Sequence, residues 1–403
     1  MACGSPVAKR PEAPPPSTPP SLKRPRVEAG AWTLEGTVAV RDYGAPAAKR
    51  VAGFDLDGTV IKTKSGKVFA QSKDDWEFWA TQVKSKLQEL HGSGFKIVVF
   101  TNQLGVSKGK VKLVDMQSKL DAVQAALDVP LVAMVFTADD RYRKPLVGSW
   151  KLLESAYNSD VPVSKAGSFF CGDAAGRAPP AVKKKDFSAA DLRFALNVGI
   201  DFQTPEEMFL AQPQRYERAK FDFDPRGLGA SPKPFPLPAS EGLALVICVG
   251  APGSGKSNLA VQHLRGYARV NQDTLKTKAK CLQACEAALK AGKSVVVDNQ
   301  NKSQADRAPY LALAKQASAR AVAVWFDVPK EACYHLNVYR HMNASCELHR
   351  GQRVPEMIIN AFYKAFQAPA KQEGFDIVCR LGLEHFEVNA QGADMELLRS
   401  FLF

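Results

Sequence analysis

Two carboxylates two residues apart, at the end of an apolar run, can hold a hard cation and carry out phosphoryl chemistry. Such a pair stands at Asp55 and Asp57 in Asp55-Leu56-Asp57-Gly58-Thr59, directly after Val51-Ala52-Gly53-Phe54. Oxygen donors suit a hard divalent ion, and a carboxylate can also serve as nucleophile or proton carrier. A calcium-binding helix–loop–helix is excluded. Counted from Asp55, its obligatory glycine falls on Val60, and the flank before Asp55 reads as strand. Downstream, the apolar run 95–100 leads into Thr101-Asn102, Arg143-Lys144-Pro145 offers cationic groups, and the run 168–171 leads into Gly172-Asp173-Ala174-Ala175-Gly176. A nucleophilic carboxylate, a second carboxylate, a hydroxyl, a lysine and a further aspartate make up a phosphoryl-transfer kit.

A second set lies in the other half of the chain. Gly250-Ala251-Pro252-Gly253-Ser254-Gly255-Lys256-Ser257 matches GxxxxGK[ST], with a strand-like run at 243–249 before it and a helical stretch at 258–265 after it. Glycines let backbone N–H groups wrap phosphates, and the helix N-terminus adds a favourable dipole. Lys256 would reach the β and γ phosphates of ATP, and the Ser257 hydroxyl would hold Mg²⁺. Asp273, just beyond, can be read as a general base or as a helix N-cap; spacing alone favours the cap. Asp298 follows the run 295–297 and can position water or substrate, or simply close a polar turn. Arg340 is either a lid arginine over the phosphates or a solvated charge, and the sequence leaves both open.

The elements that must position these groups alternate between strand-like and helix-like patterns. Strand-like runs at 50–54, 95–100, 131–136 and 168–171 are separated by helical stretches such as 74–92 and 114–127, which predicts a parallel sheet covered on both faces. A second α/β series begins at 243, with runs at 294–297 and 321–326. The expected fold class is α/β: two doubly wound parallel-sheet domains behind a disordered tail. Residues 1–30, rich in Pro, Ala and Ser, form the tail; 31–211 the first domain; 212–240 a Pro- and Gly-rich linker; and 241–403 the second domain. The tail carries Lys23-Arg24-Pro25-Arg26, a short basic cluster of the kind read as a nuclear import signal.

Lys and Arg total 54 against 41 Asp and Glu, a net charge of +13 that favours a polyanionic partner. Lys108, Lys110, Arg143, Arg177 and the run Lys183-Lys184-Lys185 lie near the first set of motifs. Lys108, Arg143, Lys183 and Lys184 are the candidate nucleic-acid contacts. Trp76 and Trp79 could stack on bases, but their spacing favours core packing. The eight cysteines are scattered without CxxC, so reduced thiols in a reducing compartment are expected rather than a zinc site. No apolar run approaches eighteen residues, so no membrane partner is expected.

The first set resembles the haloacid-dehalogenase superfamily of phosphatases. The resemblance implies Asp55 as a nucleophile forming an aspartyl-phosphate, and Asp57 as general acid and then base. It implies Thr101, Asn102 and Lys144 as phosphate-binding. Mg²⁺ would be held by Asp55, Asp173 and the backbone carbonyl of Asp57. Together with the glycine-rich loop, the whole resembles the eukaryotic polynucleotide kinase 3′-phosphatase family over about residues 32–380. The markers are Phe100-Thr101-Asn102-Gln103, Tyr142-Arg143-Lys144-Pro145, Lys183-Lys184-Lys185-Asp186-Phe187-Ser188, Phe366-Gln367-Ala368-Pro369 and Glu373-Gly374-Phe375. This resemblance implies Asp273 as base for a 5′-hydroxyl, Arg340 as lid arginine and Asp186 as a further acidic group near the metal. The implied substrate is DNA bearing a 3′-phosphate and a 5′-hydroxyl, with ATP as co-substrate. The implied location is nuclear, with mitochondria second.

Departures from the family pattern shape other expectations. Fifty-four residues precede Asp55, too few for a forkhead-associated domain, so docking of phosphothreonine scaffolds is not expected. Lys108 stands where the family commonly has Arg, which weakens a bidentate phosphate contact, and Gln272 beside Asp273 also replaces a common Arg, a lost charge expected to lower kinase affinity for DNA or alter 5′-end preference. A monomer is expected. The rival readings are an RNA-end-healing kinase–phosphatase and a non-catalytic DNA-end binding protein.

Overall fold

The computed structural model describes residues 30–213, 223–229, 233, 242–343, 353–386 and 392–403. The expected tail, apart from Gly30, and most of the expected linker lie outside these residues. No helix among those described is long and apolar enough to cross a membrane.

The first half carries strands β1 (Thr33–Glu35), β2 (Val38–Asp42), β3 (Arg50–Phe54), β4 (Ile61–Lys62), β5 (Glu77–Phe78), β6 (Phe95–Asn102), β7 (Leu131–Phe136), β8 (Phe169–Cys171) and β9 (Asp201–Gln203). Its helices are α1 (Val83–Gly92), α2 (Leu113–Leu127), α3 (Gly148–Ala156), α4 (Ala190–Val198) and α5 (Pro205–Leu210). Seven strands form one sheet in the order β1-β2-β7-β6-β3-β8-β9. The five from β7 to β9 are parallel, and β2 and β1 add antiparallel at one edge, so the sheet is mixed rather than wholly parallel. The central strands are buried along almost their whole length, which is why they read as continuous apolar runs rather than alternating ones. The edge hairpin is pinned by Asp121 of α2, which accepts hydrogen bonds from Trp32 Nε1, Arg41 and Tyr43 Oη.

From β3 the chain runs first to β6 and β7 on one side and later to β8 and β9 on the other. The carboxyl end of β3 is therefore a topological switch point, where α/β sheets open a crevice. Gly53 permits the packing beneath it, since a Cβ there would stand 2.8 Å from the Phe170 ring. The helix expected over 74–92 begins only at Val83. The preceding residues form the β4–β5 hairpin, and Trp76, Phe78 and Trp79 pack as partly buried side chains against the core. Asp75 holds that loop by accepting from the backbone N–H groups of Ser65 and Gln71.

The second half contains β10 (Ala244–Val249), β11 (Ala268–Val270), β12 (Val295–Val297), β13 (Arg320–Phe326) and β14 (Ile377–Leu381). They form a wholly parallel sheet in the order β11-β12-β10-β13-β14. Its helices are α6 (Lys256–Gln262), α7 (Gln272–Leu275), α8 (Lys278–Lys290), α9 (Gln304–Gln316), α10 (Lys330–Met342), α11 (Glu356–Ala365) and α12 (Ala393–Leu398). Cys281 and Cys285 are buried on the inner face of α8, and the six cysteines among the described residues are all free and buried. Residues 223–229 are packed rather than loose. Phe223 lies on the core of the second sheet, Leu228 is buried, and the Leu228 carbonyl accepts from Arg399 Nε.

Candidate active sites

Asp55 ends the buried strand β3, and its N–H donates to the Cys171 carbonyl of β8. Its carboxylate is buried and accepts from Lys144 Nζ at 2.7 Å; the same ammonium lies 2.7 Å from Asp191 Oδ1. Lys144 is itself buried, against the Phe170 ring at 4.9 Å. Burial opposes its charge, but Asp191 and Asp55 outweigh burial and its pKa is raised, so it remains an ammonium. Carboxylate oxygens of Asp55, Asp173 and Asp191 lie within 4.8 Å of one another. Burial, and next to it the charge of Asp191, lifts Asp173 to about 7. Burial likewise lifts Asp55 well above the usual carboxylate range, against the opposing pull of Lys144. Two glycines make this crowding possible. A Cβ on Gly172 would stand 2.3 Å from Asp191 Oδ2, and one on Gly58, whose φ is +82°, would stand 2.7 Å from Asp173 Oδ2.

Asp57 stands exposed at the mouth of this cluster. Gln103 Nε2 donates to Asp57 Oδ2 at 2.7 Å and to Thr101 Oγ1 at 2.9 Å, tying the two together. The Asn102 side chain faces elsewhere. Its Nδ2 donates to the Lys144 carbonyl and its Oδ1 accepts from the Lys144 N–H, so its carboxamide fixes the lysine's backbone. Asp186 is engaged by Arg177, and Asp191 rather than Asp186 completes the acidic cluster. Arg177 is buried, bonded to Asp186, Glu206 and the Asp173 carbonyl, so it braces the Asp173 loop and is not available to a ligand backbone. Arg143 is half-buried, 3.9 Å from Asp139, while Lys108, Lys183 and Lys184 are exposed.

In the second half, the loop after β10 closes onto α6 with Gly253 and Gly255 at φ +85° and +94°. The Gly250 N–H donates to the Gln300 carbonyl, and Asn301 Nδ2 donates to the Cys248 carbonyl. Lys256 is buried, its ammonium folded back onto the Ala251 carbonyl at 2.6 Å. Burial lowers its pKa, with Asp298 opposing and nearby Arg340 adding to the decrease. Asp298 follows β12 and is buried; Arg269 holds its Oδ2 with two bonds, and its Oδ1 has no hydrogen-bond partner among the described residues. Ser257 lies half-exposed at the start of α6. The N-cap of α7 is Asn271, whose side chain accepts from the Thr274 N–H; Asp273 follows inside the helix with its carboxylate exposed. Capping therefore does not account for Asp273. Arg340 sits on α10 and donates to Asn337 Oδ1 at 2.8 Å. Arg307 and Glu373 form a buried two-bond pair, and Arg307 also donates to the Asn301 and Gln367 carbonyls. The Phe366-Gln367-Ala368-Pro369 and Glu373 markers are thus scaffold for the loop behind the phosphate-binding turn.

Asp191 and Asn337 escaped sequence reasoning, and Gln103, though part of a family marker, carried no role there. Asp186 and Asp191 both follow the lysine run, and an acidic residue in a helix's first turn is ordinary, so only tertiary packing separates them.

The sequence profile of the polynucleotide kinase 3 phosphatase family matches residues 50–209, and that of an AAA domain matches residues 245–369. The bifunctional polynucleotide phosphatase/kinase of Schizosaccharomyces pombe is 36% identical over 353 residues, which are 85% of this chain and 82% of that protein. The polynucleotide 3′-phosphatase of Saccharomyces cerevisiae is 32% identical over 40% of this chain and 87% of its own. Among solved structures, D,D-heptose 1.7-bisphosphate phosphatase of B. bronchiseptica, complexed with magnesium and phosphate, is 23% identical. It covers 42% of this chain and 89% of its own, with a TM-score of 0.30.

Proposed function

The chain belongs to the bifunctional polynucleotide phosphatase/kinase family, and on that premise we propose that it makes DNA strand breaks ligatable by hydrolysing 3′-phosphates and phosphorylating 5′-hydroxyls. The observation that carries the reading is the Asp55–Lys144–Asp191–Asp173 cluster at the end of β3, in one chain with a complete phosphate-binding loop.

At the first site Asp55 attacks the phosphorus of the 3′-phosphate. An Asp55 Oδ–P bond forms as the P–O3′ bond breaks, and Asp57 gives its proton to the departing oxygen. Asp57 then takes a proton from water, whose oxygen attacks phosphorus, breaks the Oδ–P bond and releases inorganic phosphate. Thr101 and Lys144 hold the oxygens of the phosphoryl group during both steps. Three carboxylates facing one ammonium leave an excess of two negative charges, which fits a divalent ion held by Asp55, Asp173 and Asp191. When bound, Mg²⁺ supplies the charge neutralisation that lets a carboxylate approach a phosphate dianion. Asn102, by fixing the backbone of Lys144, is a positioning residue.

At the second site residues Gly250, Ala251, Pro252, Gly253, Ser254, Gly255, Lys256 and Ser257 cradle the ATP phosphates. Asp273 accepts the 5′-hydroxyl proton as that oxygen attacks the γ-phosphorus, and ADP leaves. Lys256 and Arg340 neutralise the transferring charge. Phe187, fully exposed beside Lys183 and Lys184, offers a ring for base stacking where the lysines track the backbone. The substrate makes the nucleus the working location, with mitochondria second. The basic cluster at Lys23-Arg24-Pro25-Arg26 lies outside the described residues. The chain works as a monomer.

A nicked duplex with a 3′-phosphate and a 5′-hydroxyl, incubated with protein, Mg²⁺ and ATP, tests the reading on a denaturing gel. Both ends should convert, with ATP needed only at the 5′ end. Asp55→Asn should abolish 3′ removal (on the order of 10³-fold or more) and spare 5′ phosphorylation, and Lys256→Ala should do the reverse. Healing of the matching RNA nick with the DNA left untouched would give the substrate to the RNA-repair reading.

A further inference from the structure

Asn197 of α4 joins three parts of the molecule that are far apart in sequence. Its Nδ2 donates to the Pro145 carbonyl, one residue after Lys144, at 2.8 Å. The same amide donates to the Phe401 carbonyl at 2.8 Å, and Asn197 Oδ1 accepts from the Phe401 N–H at 2.8 Å. The segment Phe401-Leu402-Phe403 follows α12, in the half of the chain that carries the phosphate-binding loop, yet it lies on α4. Arg193 stands over the rings of Phe401 and Phe403 and donates to a backbone oxygen of Phe403. Leu402 is buried in one apolar cluster with Leu146 and Val338. At the surface, Lys151 of α3 pairs with Glu396 of α12.

Lys144 and Asp191 face each other at 2.7 Å, but they arrive from separate backbones, the turn before α3 and the start of α4. The Asn197 carboxamide ties those two backbones together. Two of its three bonds go to Phe401, and the next residue, Leu402, shares a buried apolar cluster with Leu146, two residues after Lys144. Displacement by about 1 Å is enough to cost a phosphoryl-transfer site much of its rate. We propose that the 401–403 segment, docked through Asn197, completes the phosphatase site by fixing Lys144 against Asp191, so that 3′-phosphate removal depends on the kinase half of the chain. Asn197 and Leu402 are positioning residues for a reaction they do not touch. The inference rests on the 3′-phosphatase reading of the Asp55 site.

The test uses the full chain and three variants: Asn197→Asp, which sets an anion against two carbonyls; Leu402→Ala; and the double. Phosphate release from a 3′-phosphorylated oligonucleotide gives kcat and KM, 5′ phosphorylation in the same preparation reports folding, and hydrogen exchange is followed at residues 144–149 and 190–198. Asn197→Asp should lower phosphatase kcat about tenfold with KM for DNA within about twofold, and speed exchange in both segments. Leu402→Ala should lower kcat severalfold, and the double should fall no further than Asn197→Asp, because both remove one linkage. Phosphatase kcat within about twofold of wild type in Asn197→Asp, or additive losses in the double, would overturn the proposal. An inactive wild-type chain would instead overturn the phosphatase reading, and the exchange measurements would still show whether residues 401–403 hold the two segments.

Discussion

Asp173 and Asp191 crowd Asp55, with Lys144 set against them, and burial together with this crowding raises the proton affinity of Asp55 and Asp173. In the folded, metal-free chain burial and Asp191 lift Asp173 from 3.8 to about 7. Folding therefore favours its protonated form. Its contribution to stability is full below about pH 4 and is lost as pH rises through about 7. Denaturant unfolding without metal should show wild type losing stability relative to Asp173→Asn across that window, by on the order of 2–4 kcal/mol. Mg²⁺ binding needs the ionised carboxylate, so its affinity should weaken as pH falls below about 7. Added Mg²⁺ should restore wild type, but not the variant, at about pH 8. A difference between the two proteins that stays flat with pH would remove Asp173 from the cluster.

At the scale of elements, α10 shows how a helix is placed to serve a neighbouring loop. It lies so close to the phosphate-binding turn that a Cβ on Gly253 would stand 2.6 Å from the Cys333 carbonyl. Asn337, buried on its inner face, donates to the Val354 carbonyl and accepts from the Val354 N–H and from Arg340. One carboxamide thus sets both the path of the chain leading into α11 and the direction of Arg340. Asn337→Ala should raise KM for ATP about tenfold and lower kinase kcat, while 3′-phosphate release stays within about twofold of wild type. Kinase constants unchanged by this substitution would show that Arg340 needs no such guide. The sequence showed β3, β6, β7, β10 and β13 because strands buried on both faces leave unbroken apolar runs, and it showed the glycine-rich turn because backbone geometry restricts those positions. It could not tell lid from surface at Arg340, cap from free carboxylate at Asp273, or Asp186 from Asp191. Arg340 and the choice between the two aspartates depend on which distant element packs alongside, whereas Asp273 is decided locally, by Asn271 taking the cap two residues earlier. The β4–β5 hairpin reads as helix in the sequence because Trp76 and Trp79, three apart, satisfy a helical spacing while their neighbours follow a strand.

For the molecule as a whole, the total of 54 Lys and Arg overstates the cations available to a nucleic acid, because some are engaged internally by carboxylates. Lys144, Arg177 and Arg307 are buried in ion pairs, and Arg269 is bonded to Asp298. That sorting was illegible in the sequence, where Arg177 and the lysine run at 183–185 look alike. Lys183 and Lys184 are exposed and lie just beyond Arg177 in the chain, so the two kinds of cation can be separated by experiment. Removing one cation that neutralises a duplex phosphate should flatten the log–log dependence of DNA affinity on salt by about 0.9, and for a single strand by about 0.7. Lys183→Ala with Lys184→Ala should therefore reduce the slope by about 1.4–1.8, weaken binding most at low salt, and leave phosphatase kcat at saturating DNA within about twofold. Arg177→Ala should do the opposite. Its loss leaves Asp186 and Glu206 without their buried partner and frees the Asp173 loop, so kcat should fall at every salt concentration while the slope stays as in wild type. If the lysine variants kept the wild-type slope, DNA would have to track a different face. The cations that meet it would then have to be sought among Lys108, Lys110 and Arg143, beside Thr101 and Lys144 instead of beyond Asp173.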